Sequence, residues 1–202
     1  MTVRHSLLAI LDLGPCYGYQ LRSEFDRRTG STSTLNVGQI YTTLERLERD
    51  GLVRRGAADA EGHLYWEITD DGREVVADWF AAPVEPSGGV RSELAVKIAI
   101  AATLPSVDTA AIVSAQRSAT SARLDALTRS RFDGTSGGAE ELAWTLLRDG
   151  RVIDAEAEIR WLDRCAEVLG TSRSEPLPLS TSKPRRGRPA KSAATAEATA
   201  AS

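Results

Sequence analysis

The stretch NVGQIYTTLERLERDG, residues 36–51, decides how this chain is read. Val37, Ile40, Leu44 and Leu47 recur at steps of three and four, so a helix gathers them on one side. Asn36 is a residue type that caps helix N-termini, and Gly51 is one that ends helices. Turning the helix by about 100° per residue puts Gln39, Thr42, Arg46 and Arg49 on the opposite face. Glu45 lies beside them and Tyr41 on the flank, where its hydroxyl can reach a phosphate. Gln, Thr and Arg are side chains that contact base edges and phosphates, and Asn36 to Thr43 is the end that would enter a major groove. A face of Glu45, Arg46, Glu48 and Arg49 is equally what a solvated helix presents, with Glu45 and Arg49 as an ordinary i,i+4 pair. The helix alone leaves both readings open.

Upstream, residues 3–13 read as a short helix with Leu7, Ile10, Leu11 and Leu13 on one side, stopped by Gly14-Pro15. A second helix is predicted from about Tyr17 to Thr29, with Tyr17, Leu21 and Phe25 at spacings of four. Gly30 ends it, and the Ser-Thr run 31–34 is a loop. Downstream the period changes. Leu52 to Arg55 is extended, residues 57–62 are small and polar, and Leu64 to Ile68 is rich in β-formers, which predicts a hairpin. Thr69-Asp70-Asp71 then caps a helix running through Phe80. Three helices, a hairpin and a fourth helix within residues 1–82 are the layout of a winged helix-turn-helix. Arg54, Arg55 and His63 are the wing's candidate phosphate contacts, opposed by Asp59 and Glu61 at the same tip.

Pro83, Pro86, Gly88 and Gly89 mark residues 83–89 as a linker. Beyond it, helices are predicted at about 91–104, 107–132 and 139–169. Val152, Ala155, Ile159, Leu162, Ala166 and Leu169 make a heptad seam on the last, one that a single copy cannot easily bury. Residues 90–170 therefore read as an α-helical dimerisation domain. Trp66 and Trp79 belong to the N-terminal core. Trp144 and Trp161 fall at or beside the seam, where as a pair they would stack on a flat aromatic ligand; plain interface packing is the competing account. Residues 171–202 turn to Ser, Thr, Pro and Ala without hydrophobic period and read as a disordered tail. The fold class is mainly α with a small β-hairpin wing.

The 202 residues carry a net charge of -3, unevenly spread. Lys and Arg stand against Asp and Glu at 9 to 13 in residues 1–82, and at 6 to 2 in residues 171–202. Electrostatic attraction to DNA must then come from a local patch plus the tail. Cys16 and Cys165 show no metal or redox spacing and read as free thiols in a reducing compartment. The most apolar run, Leu94 to Leu104, contains Lys97 and is far short of a bilayer span. A cytoplasmic protein is expected, nucleoid-associated when bound to DNA. His5 and His63 lack partner patterns, and no phosphate-cradling loop or nucleophile triad can be picked out. Neither catalysis, cofactor nor metal is expected.

The runs Leu7–Leu11 and Gly14-Pro15-Cys16-Tyr17-Gly18-Tyr19-Gln20-Leu21 resemble the opening of PadR-type transcriptional regulators. Residues 37–44, with Arg46-Leu47-Glu48 and Asp50-Gly51-Leu52-Val53, are similar to that family's recognition helix and its exit into the wing. Residues 64–73 resemble the second wing strand, and Leu147 to Cys165 the closing dimerisation helix. The resemblance implies a homodimeric repressor on a near-palindromic operator in double-stranded DNA, released by a small aromatic or drug-like effector. Carried over by position, Gln39, Tyr41, Thr42 and Arg46 are the readers. Two departures stand out: the wing tip lacks the family's basic cluster, and Thr42 replaces the proline usual after the helix tyrosine. Arg186-Gly187-Arg188-Pro189, within the basic run 184–191, is similar to an AT-hook, which lays glycine and arginines in a narrow A·T minor groove. A winged helix used only for protein contact is the rival reading, favoured by the acidic balance of residues 1–82.

Overall fold

The computed structural model describes residues 2–30, 35–85, 90–134, 138–171 and 175–181. The first helix, α1 (Thr2–Leu11), is buried from Ser6 to Leu11, around most of its circumference. A short helix apolar all round belongs inside a core. Here α1 is packed by α2 (Gly18–Arg28), α4 (Asp70–Ala81) and α5 (Val90–Ala101). Leu21 and Phe25 of α2 complete the centre with Ile40, Leu44 and Leu47 of α3 (Val37–Arg49).

Helix α3 starts and stops as its sequence demands. The Asn36 side chain accepts the Gln39 N–H at 2.8 Å, and the Gln39 side chain accepts the Asn36 N–H at 3.2 Å, closing a capping box. At the other end Gly51 adopts φ +75°, a left-handed conformation glycine takes without a Cβ clash. Leu52 N–H then reaches Leu47 O, and Gly51 N–H reaches Glu48 O, each at 2.9 Å. Those paired bonds satisfy the last carbonyls and turn the chain into the wing.

The wing is β2 (Val53–Ala58) against β3 (Leu64–Ile68), antiparallel, with Val53 opposite Ile68 and Arg55 opposite Trp66. A third strand corrects the sequence reading. Cys16–Tyr17 forms β1 on the far edge of β3, with Cys16 opposite Trp66, so the sheet order is β1-β3-β2. Tyr17 is extended, with φ -91° and ψ 163°, and α2 begins one residue later than its apolar spacing suggests. Pairing with β3, distant in sequence, overrides the local period.

In the second half, α6 (Thr109–Arg129) lies along α7 (Ala139–Thr171). A polar knot joins them, the Glu158 carboxylate accepting from Thr120, Gln116 and Arg123. Ala155 and Leu162 are fully buried, Leu162 beside Leu94, Ile98 and Val113 of the same chain. The predicted heptad seam is thus used in part within the protomer: Val152, Ile159 and Leu169 are half-buried and Ala166 is exposed. Leu142, Leu146 and Ile153, within about 40° of one another on the opposite side of α7, stand 60%, 65% and 60% exposed.

A second correction concerns the tail. Residues 175–181, read from composition as disordered, lie along α2. Leu177 N–H donates to Thr103 O at 3.0 Å, Arg28 donates to Leu177 O at 2.7 Å, and Leu179 packs against the N-terminal core. Leu177 and Leu179 alternate with prolines in LPL, too short a pattern to register as a period.

Candidate nucleic-acid interface

The buried stripe of α3 holds its other face outward. Ile40, Leu44 and Leu47 are fully buried, while Asn36, Gln39, Tyr41, Thr42, Arg46 and Arg49 are all exposed. These residues occupy one continuous surface. Two predicted readers are partly engaged. The Gln39 carbonyl serves the capping box, its NH2 having no hydrogen-bond partner among the described residues, and the half-buried Thr43 hydroxyl donates to Gln39 O at 2.7 Å. Arg46 makes no ion pair with a described side chain, and Arg49 has a loose one to Asp50 at 3.7 Å. Arg4 anchors the helix's far end by a 2.9 Å pair to Asp50.

The wing residues are placed differently from expectation. Arg54 is held by Glu67 at 2.8 Å, and Arg55 by Glu48 at 2.9 Å while lying over the Trp66 ring. Both cations are exposed but already matched by carboxylates of their own domain. His63 turns inward: its ring stacks on Tyr17 with centroids 4.6 Å apart, and Nδ1 sits 2.9 Å from Asp59 Oδ2. Hydrogen bonds from the His63 backbone and ring hold the Asp59 carboxyl below the usual carboxylate range. Asp59, Glu61 and His63 bring three donor atoms within 4.8 Å, yet Asp59 is spent on the turn, accepting the N–H groups of Glu61 and His63.

Sequence reasoning missed one part of this surface, the start of α2. Tyr41 lies against Gly18, and Tyr19 is 41% exposed beside it. The signal was the run Tyr17-Gly18-Tyr19, aromatics around a residue with no side chain, which makes room for a ring from elsewhere. Trp144 and Trp161 form no pair within the protomer. They lie on one continuous helix, 17 residues and about 25 Å apart. Trp144 contacts Phe132 and Arg148, and Trp161 packs against the cluster of Leu94, Ile98, Val113 and Leu162. Arg186, Gly187, Arg188 and Pro189 lie outside the described residues, as do residues 31–34. Among the described residues no helix is long and apolar enough to cross a membrane.

A helix-turn-helix with a three-stranded wing, offering a polar helix face beside exposed tyrosines, is a DNA-binding architecture. Residues 7–78 match the transcriptional regulator PadR-like family, and residues 90–170 match the virulence activator alpha C-terminal family. The probable transcriptional regulator Rv1176c of Mycobacterium tuberculosis is 31% identical over 193 residues, covering 86% of this chain and all of that one. Among solved structures, Bacillus subtilis PadR in complex with operator DNA is 17% identical over 84% of this chain and 99% of its own, with TM-score 0.41. The Vibrio cholerae virulence activator AphA is 19% identical over 83% of this chain and 98% of its own, with TM-score 0.34. This chain belongs to the PadR-like family of transcriptional regulators. It is a DNA-binding regulator, not an enzyme.

Proposed function

We propose that the protein is a homodimeric repressor, each copy reading half of a near-palindromic operator through α3, and that a small aromatic molecule releases it. The division of α3 carries this reading: three leucine-class anchors at 0% exposure hold Tyr41, Thr42, Arg46 and the Gln39 amide outward on a fixed frame. A frame already rigid loses little freedom on entering a groove. Leu142, Leu146 and Ile153 support the dimer, since an exposed apolar face on a long helix fits a second copy. Two-fold pairing would place the α3 helices about one DNA turn, roughly 34 Å, apart. Such a protein works in the cytoplasm, on the nucleoid when bound.

A groove of about 410 Å³ between α4 and α6 supports the effector. Val76, Phe80 and Ile112 supply apolar walls suited to a flat aromatic molecule, while Arg73 at the edge is already paired with Asp12 and Asp70. It lies between the reading and pairing halves, so a ligand there biases their relative placement. Trp144 and Trp161 are too far apart along α7 to share one ligand in a protomer.

The test is a mobility shift on the duplex upstream of the protein's own coding sequence, repeated with Arg46→Ala and Tyr41→Ala. Each substitution is expected to weaken binding about tenfold or more, one good base or phosphate contact being worth about 1–3 kcal/mol. Unchanged binding by both would move readout off α3 and leave that face to protein contact, which the paired Arg54 and Arg55 would suit.

A further inference from the structure

The second half of the chain holds the end of α4 by its main chain. Ala82 is extended, with φ -77° and ψ 132°, the conformation favoured before a proline. Lys97 of α5 donates to Ala82 O at 2.5 Å and lies over the Trp79 ring of α4, 5.7 Å from its centroid. Gln116 of α6 grips Val84 at two points: its carbonyl accepts the Val84 N–H at 2.7 Å, and its NH2 donates to Val84 O at 3.2 Å. The same NH2 donates to Glu158 Oε1 at 3.0 Å, tying the grip to α7. Lys97 and Gln116 are 1% and 2% exposed. Polar side chains so buried keep the partners they have, because leaving them strands a desolvated group.

These contacts sit at the joint between the reading and pairing halves. Val76 and Phe80 of α4 share one core with Ile40, Leu44 and Leu47 of α3, so α4 carries α3 with it. Val84 packs instead with Leu94, Ile98, Val113 and Leu162 of the second half. Between the two lie Ala82 and Pro83, whose ring fixes its φ. Packing of α1 on α5 also joins the halves, but apolar contact is non-directional and tolerates sliding. Hydrogen bonds to neighbouring main-chain groups are directional, so they hold residues 82–84 at one angle to α5 and α6.

We infer that Lys97 and Gln116 are positioning residues for operator choice: by gripping residues 82–84 they set the angle between α3 and the pairing half, and so the half-site spacing that the dimer accepts. The inference rests on the paired half-site reading proposed above. One added base pair moves two half-sites apart by about 3.4 Å and turns them by roughly 35°. A dimer with fixed joints cannot follow that change without losing contacts on one side. A dimer with loose joints can.

The experiment is a mobility shift of the full chain on synthetic duplexes carrying the two half-sites that it footprints upstream of its own coding sequence. The half-sites stand at native spacing, or one or two base pairs wider or narrower, and a duplex with one half-site is the control. Wild type is expected to prefer the native spacing by about tenfold or more per base pair. Lys97→Met and Gln116→Met remove the grips and keep the side-chain bulk. Pro83→Gly loosens the joint from its exposed side without touching the core. Each should flatten the preference to about threefold or less, with single half-site binding and helicity at wild-type values. Folded variants that keep the wild-type preference would overturn the inference, as would equal binding by wild type at every spacing. A uniform loss at all spacings would do the same, since it marks packing alone. Should either core variant fail to fold, Pro83→Gly decides. Absence of paired half-sites in the wild-type footprint would instead sink the reading on which this rests.

Discussion

The ring of Tyr41 lies so close to Gly18 that a methyl group there would stand 2.7 Å from Tyr41 Cζ. No side chain other than hydrogen fits at position 18 without moving the ring. The first residue of α2 thereby sets where a tyrosine of the recognition helix points.

Gly18→Ala tests that coupling. Tyr41 is 39% exposed and its ring can swing away, so the fold should tolerate the methyl group. Alanine also favours a helix over glycine by up to about 1 kcal/mol. The expected outcome is a melting temperature at or above wild type together with operator binding several-fold weaker, read by calorimetry and mobility shift. Weaker binding accompanied by a large loss of stability would assign Gly18 to packing alone.

The Glu24–Arg28 pair should show the cost of a broken buried ion pair. Glu24→Gln leaves the Arg28 guanidinium without its carboxylate at 0% side-chain exposure. Uncompensated buried charge costs about 3 kcal/mol or more, so denaturant unfolding should show a loss of that order. Leu177 O and Thr103 still accept from Arg28, and a loss below about 1 kcal/mol would mean that they suffice.

Lys97 predicts a pH dependence. Burial pushes its ammonium down to about 8 from the ordinary 10.5, with Glu93 opposing, while Nζ donates to Ala82 O. Between those values the unfolded chain binds more protons than the folded one, so stability rises with pH across that window. Against Lys97→Met, wild type should gain up to about 3 kcal/mol between pH 8 and 10.5, and nothing below pH 7. Parallel stability curves for the two proteins across that range would contradict the assignment.

Exposed α7 offers the dimer test. Leu146→Asp with Ile153→Asp places two charges on the face proposed for the second copy. Sedimentation should show a shift to monomer, with operator binding lost and helicity retained. A protein that stays dimeric would move the interface elsewhere on the surface.

The local part of this architecture was legible. The caps of α3, its buried stripe, the hairpin and the Thr69 cap all depend on residues within a few positions of each other, where side-chain spacing and backbone hydrogen bonding act directly. What α3 presents to solvent followed from that spacing too. Which arginines remain available did not. Arg46 stayed clear while Arg54 and Arg55 were matched, because Glu67 and Glu48 reach them only once the wing has folded onto α3.

Three features needed the tertiary structure: β1, the seat of residues 175–181 on α2 and the sidedness of α7. Each depends on partners far away in sequence. Cys16 pairs with Trp66, Ser180 with Glu24, and Leu162 packs against Leu94, so no window along the chain contains both halves of the interaction. The apolar period of α7 revealed that the helix must bury a stripe. Whether that stripe met its own chain or a second one was settled by the packing of α5 and α6, which covered Ala155 and Leu162 and left Leu146 and Ile153 open. Periodicity specifies a face; what fills the space against it is a property of the assembled chain.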